Sequence, residues 1–210
     1  IGLGQTGLSC ARFLREQGMN VAVMDSREAP PALASLQQSY PDVVVRTGGF
    51  DSSWLASADL VVLSPGVDPR TECIATAREQ GVDIIGDIEL FARYAEAPIV
   101  AITGSNGKST VTTLVSQMAE TAGKHIKTGG NIGTPALDLL DGDTPDFYIL
   151  ELSSFQLETV RSLNALAATV LNVSPDHLDR YDSLAAYRKA KQRIFNGDGV
   201  RIINLDDAQV

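Results

Sequence analysis

The stretch that most limits how this chain can fold is Ile99-Val-Ala-Ile-Thr-Gly-Ser-Asn-Gly-Lys-Ser-Thr110. An apolar run ends in two glycines, a lysine and two hydroxyl residues. Val111, Leu114, Val115 and Met118 then recur at helical spacing, which predicts a strand, a tight loop and an amphipathic helix. Such a loop aims its backbone N–H groups and the helix N-terminus at one point, and that point suits phosphate. Lys108 adds a positive charge near the outer phosphates, and Ser109 or Thr110 a hydroxyl for Mg²⁺. The usual phosphate-loop spacing places a first glycine five positions before Gly107, where this chain has Ile102; Gly104 stands closer in. The plain alternative is a glycine-rich turn between buried elements. The Gly-Lys-Ser-Thr run favours an ATP site formed by Gly104, Ser105, Asn106, Gly107, Lys108, Ser109 and Thr110.

The first seven residues carry G-x-G-x-x-G at Gly2, Gly4 and Gly7, followed by a helical pattern as far as Gly18. Val21 to Met24 then ends at Asp25, about twenty residues past the glycines, where an acid can meet a ribose hydroxyl. A nucleotide diphosphate fits this arrangement without being specified by it. Strands follow at 43–46 and 60–63, the second closing on Ser64-Pro65-Gly66 at its carboxyl end. That is where open α/β sheets bind ligands, although an ordinary strand-to-helix turn has the same composition. Residues 71–80 read as a helix stopped by Gly81, 84–85 as a short strand, and 88–94 as a helix capped by Asp87. Strand–helix alternation restarts after Ala95-Glu-Ala-Pro98. The fold class is therefore α/β, with a Rossmann-like parallel-sheet domain over 1–95 and a P-loop-type ATP-binding domain over 96–210.

In the second half, Gly129 to Gly133 reads as another glycine-rich loop centred on Asn131, and 147–150 as a buried strand running into Glu151. A charge directly after four apolar residues calls for a neutralising cation, and a metal–phosphate site beside Lys108 supplies one. The alternatives are an arginine partner or a helix cap. A strand at 167–173 leads to Pro175-Asp-His-Leu-Asp, where His177 is a candidate metal ligand and Asp176 and Asp179 read as turn formers. Strand ends of a parallel sheet share one edge, so the ATP loop, Glu151 and the Asp176–His177 pair can converge. Ser153 and Gln156 either cap the helix beginning near 152 or reach a nucleotide. Lys189 and Lys191 lie in a helix over 183–195, and pattern alone places both in solvent.

Charge and cysteine content narrow the partners. A net charge of −9 disfavours nucleic acid, so any phosphate ligand is held by local devices. No apolar run approaches the ~20 residues that span a bilayer. Cys10 and Cys73 lack metal-type spacing and read as free thiols of a cytoplasmic protein. The chain opens at Ile1, in or at the end of a strand and without methionine, and residues are expected to precede it. Two rivals use the same residues: an NAD-dependent dehydrogenase, from the glycine motif and Asp25, and a P-loop kinase or switch NTPase, from Gly107-Lys-Ser.

Read together, G-L-G-x-T-G, V-M-D, S-P-G-V, G-D-I-E-L-F, A-I-T-G-S-N-G-K-S-T, G-G-N-I-G, E-L-S-S-F-Q-L-E, D-H-L-D-R-Y and Y-R-x-A-K resemble the Mur ligases of bacterial cell-wall synthesis. The E-L-S-S-F-Q-L-E and D-H-L-D-R-Y pair, with the glycine-rich start, points to the branch that adds D-glutamate. The resemblance implies that the first domain binds the UDP part of UDP-N-acetylmuramoyl-L-alanine, not NAD. Gln5 and Thr6 would lie near the diphosphate and Asp25 and Ser26 would face the uridine. Ser64, Pro65 and Gly66 would line that cleft, and Asn131, Ser153 and Gln156 would stand on the substrate side of the second domain. It also implies two Mg²⁺ ions on Ser109, Glu151, His177 and Lys191, the last as a carbamate, with Lys108, Glu151, His177 and Lys191 as the catalytic set. An acyl phosphate would form from ATP and then be attacked by D-glutamate, in a monomer. Gln5 and Ser26 stand where leucine and threonine are common in the family. A D-glutamate-binding third domain is expected beyond a second domain cut short, and these 210 residues alone are expected to be inactive.

Overall fold

A computed structural model describes residues 1–210. It contains two compact units, Ile1–Leu90 and Phe91–Val210. They part inside a helix, a few residues before the Ala95–Pro98 segment that the composition suggests.

The first unit runs α1 (Gln5–Glu16), β1 (Ala22–Met24), α2 (Leu33–Ser39), β2 (Val44–Arg46), α3 (Ser52–Ala56), β3 (Leu60–Leu63), α4 (Glu72–Glu79) and β4 (Asp83–Gly86), and enters α5 (Asp87–Tyr94). β1 pairs with β2 and β3 with β4, all parallel. The opening residues knit the two pairs together: Gly2 N donates to the Met24 carbonyl (2.8 Å), and Ser64 N donates to the Ile1 carbonyl (2.8 Å). Successive strand side chains point to opposite faces. Val23 accordingly packs with Leu3, Ala11 and Leu36 on one side, and Met24 with Leu55, Ile74 and Ile84 on the other. Burial on both faces is why β1 and β3 read as continuous apolar runs instead of alternating ones, whereas β2 is largely exposed.

The glycine motif is explained by packing. Gly2 has φ +86°, and a Cβ there would meet Ser64 Cβ at 2.8 Å. A Cβ on Gly7 would sit 1.8 Å from the Gly2 carbonyl oxygen, so α1 lies against the opening residues only because that atom is missing.

The second unit continues with β5 (Ile99–Thr103), α6 (Lys108–Thr121), β6 (Ile126–Gly130), β7 (Phe147–Glu151), α7 (Ser154–Leu157), β8 (Ala167–Val170), α8 (Leu184–Gln192) and β9 (Val200–Ile203). The sheet order is β6-β7-β5-β8-β9, all parallel. β5 is central, with β7 and β8 on either side, so the carboxyl ends of these three strands adjoin. β6 claims Gly129 and Gly130, which composition places in a loop, because both pair with β7. β9 forms the far edge with all four residues exposed.

α6 corrects the expected helix phase. Thr112 and Ser116 are its buried residues, whereas Leu114 and Met118 are exposed, Met118 by 63%. The phosphate loop fixes where α6 begins and hence which face meets the sheet. Ser116 Oγ donates to the Thr112 carbonyl (2.9 Å) and lies 2.8 Å from Thr128 Oγ1 on β6, so small hydroxyl residues seat the helix. No helix is long and apolar enough to cross a membrane.

Candidate functional site

The phosphate loop spans the short gap between β5 and α6. Gly107, at the N-cap, is left-handed (φ 78°), and no side chain caps the helix. The first N–H groups of α6 have no intrahelical acceptor, which makes them anion donors. Not every amide of the loop faces the same point, as the sequence suggests. Ser105 N donates to the Asn172 carbonyl (3.0 Å), and Asn106 N donates to Asn172 Oδ1 (2.8 Å). That leaves the amides of Gly107, Lys108, Ser109 and Thr110 as the loop's candidates for an anion. Lys108 Nζ donates to the Gly104 and Ser105 carbonyls (3.1 and 3.2 Å), so its charge is held over the loop.

Glu151 ends β7 and is 2% exposed. Its two oxygens are divided between elements: Oε2 accepts from Ser109 Oγ (2.7 Å) and Oε1 from Asn131 Nδ2 (2.7 Å). Asn131 N also donates to the Glu151 carbonyl (2.8 Å). The preceding Gly130 permits this approach, since it has φ +104° and a Cβ there would lie 2.4 Å from that carbonyl oxygen. The cap of α7 is Ser153, and Glu151's partners are one hydroxyl and one amide. Neither an arginine partner nor a capping role accounts for the charge. A buried carboxylate held by neutral donors is costly unless a cation joins it, and it stands beside a phosphate loop. The residues therefore fit a divalent cation carried with a nucleotide.

Lys191 reverses the pattern-based reading. It is 1% exposed and donates to the Gly104 carbonyl (2.8 Å), the same oxygen that Lys108 uses. Its Nζ lies 4.6 Å from the centre of the Tyr187 ring. Burial, and next the charge of Lys108, push its pKa down to about 7, with Asp176 opposing. The signal was available in sequence: Tyr187, Ala190, Lys191 and Ile194 share one helical face, and all four are buried. Lys189 stays off that face.

His177 follows β8 in the loop and has φ 52°, the one non-glycine residue with positive φ. Its ring lies 4.7 Å from Phe155 and 6.3 Å from Tyr187, and it is half-exposed. Arg180 anchors the loop to α7 by donating to Glu158 (2.7 Å) while covering Phe155 (4.8 Å). The E-L-S-S-F-Q-L-E and D-H-L-D-R-Y segments are thus one packed assembly. No three His, Cys, Asp or Glu side chains gather into a ready metal cluster. Ser153 and Gln156 form a capping box: Ser153 Oγ accepts from Gln156 N (3.2 Å), and Gln156 Oε1 accepts from Ser153 N (3.0 Å). That arrangement answers the capping alternative for both residues.

In the first unit, Gln5 and Thr6 open α1, and Ser26, Ser64, Pro65 and Gly66 follow the carboxyl ends of β1 and β3. Ser64 Oγ donates to the Gly2 carbonyl (2.9 Å). Asp25 does not offer a free carboxylate to a ribose. It is 2% exposed and accepts from Leu3 N (2.6 Å), Arg27 N (2.8 Å), Arg27 Nε (2.8 Å) and Arg27 Nη2 (2.6 Å). The Arg27 guanidinium, outweighing burial, holds its pKa down to about 2. Asp25 instead orders the glycine loop and Arg27. Sequence reasoning missed Arg27, Asn172, Ser174 and Tyr187; the last three surround Ser105.

Residues 1–86 match the Mur ligase MurD-like N-terminal domain, and residues 102–210 match the Mur ligase middle domain. The chain belongs to the Mur ligase family. Two relatives are UDP-N-acetylmuramoylalanine–D-glutamate ligases. That of Nitrosococcus oceani is 58% identical over 210 residues, covering 100% of this chain and 46% of the relative. That of Marinobacter nauticus is 58% identical over 208 residues, covering 99% and 46%. This Mur ligase chain thus spans about half the length of the curated relatives it matches. Among solved structures, the UDP-N-acetylmuramate:L-alanyl-γ-D-glutamyl-meso-diaminopimelate ligase of Neisseria meningitides shares the fold. The TM-score is 0.60 at 19% identity, over 100% of this chain and 70% of that one. Family membership sets aside the dehydrogenase reading of the glycine-rich start.

Proposed function

We propose that this chain supplies the UDP-substrate and ATP-binding parts of a ligase that joins D-glutamate to UDP-N-acetylmuramoyl-L-alanine. The observation that carries the reading is Glu151, a buried carboxylate at the lip of the phosphate loop with only Ser109 and Asn131 to hold it. The 58% identity to D-glutamate ligases along the whole chain supports the choice of substrates.

A carboxylate resists amine attack because its charge is delocalised and oxide is a poor leaving group. Transfer of the γ-phosphoryl group removes both obstacles. An oxygen of the L-alanine carboxylate bonds to the γ-phosphorus while the β–γ bridging bond breaks and ADP leaves. The D-glutamate amine then attacks the acyl carbon, a C–N bond forms, phosphate departs and the amine loses a proton. The free N–H groups at the start of α6 hold the phosphates, and Lys108 offsets charge on the group in flight. Two Mg²⁺ ions would add charge neutralisation, one held by Ser109 and Glu151, the other by His177 and the Lys191 carbamate. Lys191 is suited to that modification. A buried amine with a pKa near 7 is substantially neutral at physiological pH, and it attacks CO₂ to form an N–C bond with loss of one proton. Asn131 holds Glu151 and faces the substrate side; Asp25 orders the uridine end through Arg27 and Leu3. Neither Cys10 nor Cys73 forms a disulfide, which fits a reducing cytoplasm, and the acidic charge fits small-molecule substrates.

Phosphate release by the chain carried to the full length of its relatives tests this reading. Release from Mg-ATP should require both the UDP-sugar and D-glutamate, with L-glutamate inactive. Release without the UDP-sugar would contradict it.

A further inference from the structure

We propose that Asn172 is the positioning residue of the phosphate loop: its side-chain amide grips the backbone of Asn106 and decides which loop amides face the phosphates. The proposal rests on the reading of this loop as the ATP site.

Asn172 lies two residues past β8. Parallel pairing with β5 continues beyond both strands, as Leu171 N donates to the Thr103 carbonyl (2.8 Å) and Ser105 N to the Asn172 carbonyl (3.0 Å). The Asn172 side chain then adds two rungs of its own. Asn106 N donates to Oδ1 (2.8 Å), and Nδ2 donates to the Asn106 carbonyl (3.0 Å). A primary amide presents a donor and an acceptor side by side, which is what an N–H and C=O of one residue require. Aspartate has no donor, serine is too short to span both, and leucine has neither. Ser174 completes the clasp, with its N–H donating to Ser105 Oγ (3.0 Å) and its Oγ accepting from Asn106 Nδ2 (3.3 Å). The loop comes close enough because Gly104 lacks a Cβ, which would lie 3.0 Å from Leu171 Cβ.

This clasp has a direction. It turns the N–H groups of Ser105 and Asn106 toward β8, and the carbonyls of Gly104 and Ser105 toward Lys108. Gly107 to Thr110 are left to face the anion. Without the side-chain amide Ser105 keeps its bond to the Asn172 backbone carbonyl, but the peptide units on either side of Asn106 are free to rotate, and nucleotide binding must itself fix them. Preorganisation is lost on the ATP side alone.

The test compares Asn172→Ala and Asn172→Asp in the full-length protein. Asp keeps the acceptor for Asn106 N but sets a carboxylate against the Asn106 carbonyl, so the loop chain stays filled while the clasp fails. Removing two hydrogen bonds of ordinary strength lowers affinity by about ten- to a hundredfold. The expected result is that loss in ADP affinity by calorimetry and in kcat/KM for ATP in both variants. Affinity for the UDP-sugar should stay within about twofold, and amide exchange at Asn106 should accelerate. Unchanged ADP affinity with a lowered melting temperature would make Asn172 a structural residue only and overturn the proposal. Equal weakening of both ligands would overturn it as well. Wild-type protein that binds the UDP-sugar but no adenine nucleotide would instead overturn the ATP-site reading itself.

Discussion

Replacing Glu151 by glutamine separates a carboxylate kept for chemistry from one kept for stability. The wild-type side chain is 2% exposed and accepts two hydrogen bonds, from Ser109 Oγ and Asn131 Nδ2. Burying one charge costs several kcal/mol after relaxation, on the order of 4. Two bonds to an ionised acceptor return roughly 1 kcal/mol each more than neutral bonds do. Glutamine keeps the shape: its Oε1 accepts from Ser109, and its amide donates to Asn131 once that amide turns over. Without metal or nucleotide, E151Q should therefore be more stable by about 1–2 kcal/mol, a rise of a few degrees in melting temperature. With Mg-ATP at a hundred times its dissociation constant, the wild type should gain about 2.7 kcal/mol. The variant should gain far less, and ligation should fall by about a thousandfold or more. Calorimetric melting of the full-length protein in EDTA and in Mg-ATP reads both effects. A drop of several degrees in EDTA, or near-normal ligation, would refute the argument that the charge waits for a cation.

Three further outcomes follow from particular contacts. Lys191 has a folded pKa near 7 against 10.5 as a free side chain, so between those values the unfolded chain binds a proton that the folded one does not. Stability should accordingly rise with pH from about 7 to 10 in CO₂-free buffer, by a few kcal/mol in total, and K191M should flatten the slope. Asp25, with its pKa held near 2, works in the opposite range: its contribution is present above about pH 4 and is lost as pH falls toward 2. Arg27 is half-exposed, so screening trims that contribution to about 1–2 kcal/mol, and D25N should lose it at neutral pH while weakening UDP-sugar binding. Gly7→Ala forces a Cβ to within 1.8 Å of a backbone oxygen, and the first unit should lose about 3 kcal/mol or more, measured by chemical denaturation.

The strand–loop–helix units were legible because apolar runs and glycine punctuation report backbone geometry directly. Ile99–Thr103 and Lys108–Thr121 lie where the sequence places a strand and a helix. Which face of α6 is buried was not legible. Leu114 and Met118 outrank Thr112 and Ser116 in hydrophobicity, yet the loop sets the helix phase and small residues fit closest to β6. The site divides in the same way. Strand ends converge by topology, so Glu151 beside Ser109 could be anticipated. The grip of Asn172 on Asn106 could not, because a single polar residue after a strand carries no periodicity. Asp25 shows the converse: the spacing marks a carboxylate at the end of β1, but its oxygens turn inward to Leu3 and Arg27.

Under the proposed function ATP activates the substrate carboxylate by phosphorylating it, and oxygen tracing tests this step most directly. UDP-N-acetylmuramoyl-L-alanine labelled with ¹⁸O in the L-alanine carboxylate is turned over by the full-length enzyme with unlabelled ATP, D-glutamate and water. Each phosphate released should carry one ¹⁸O, because the oxygen that bonds to phosphorus leaves with it. Amide product accompanied by unlabelled phosphate would contradict it.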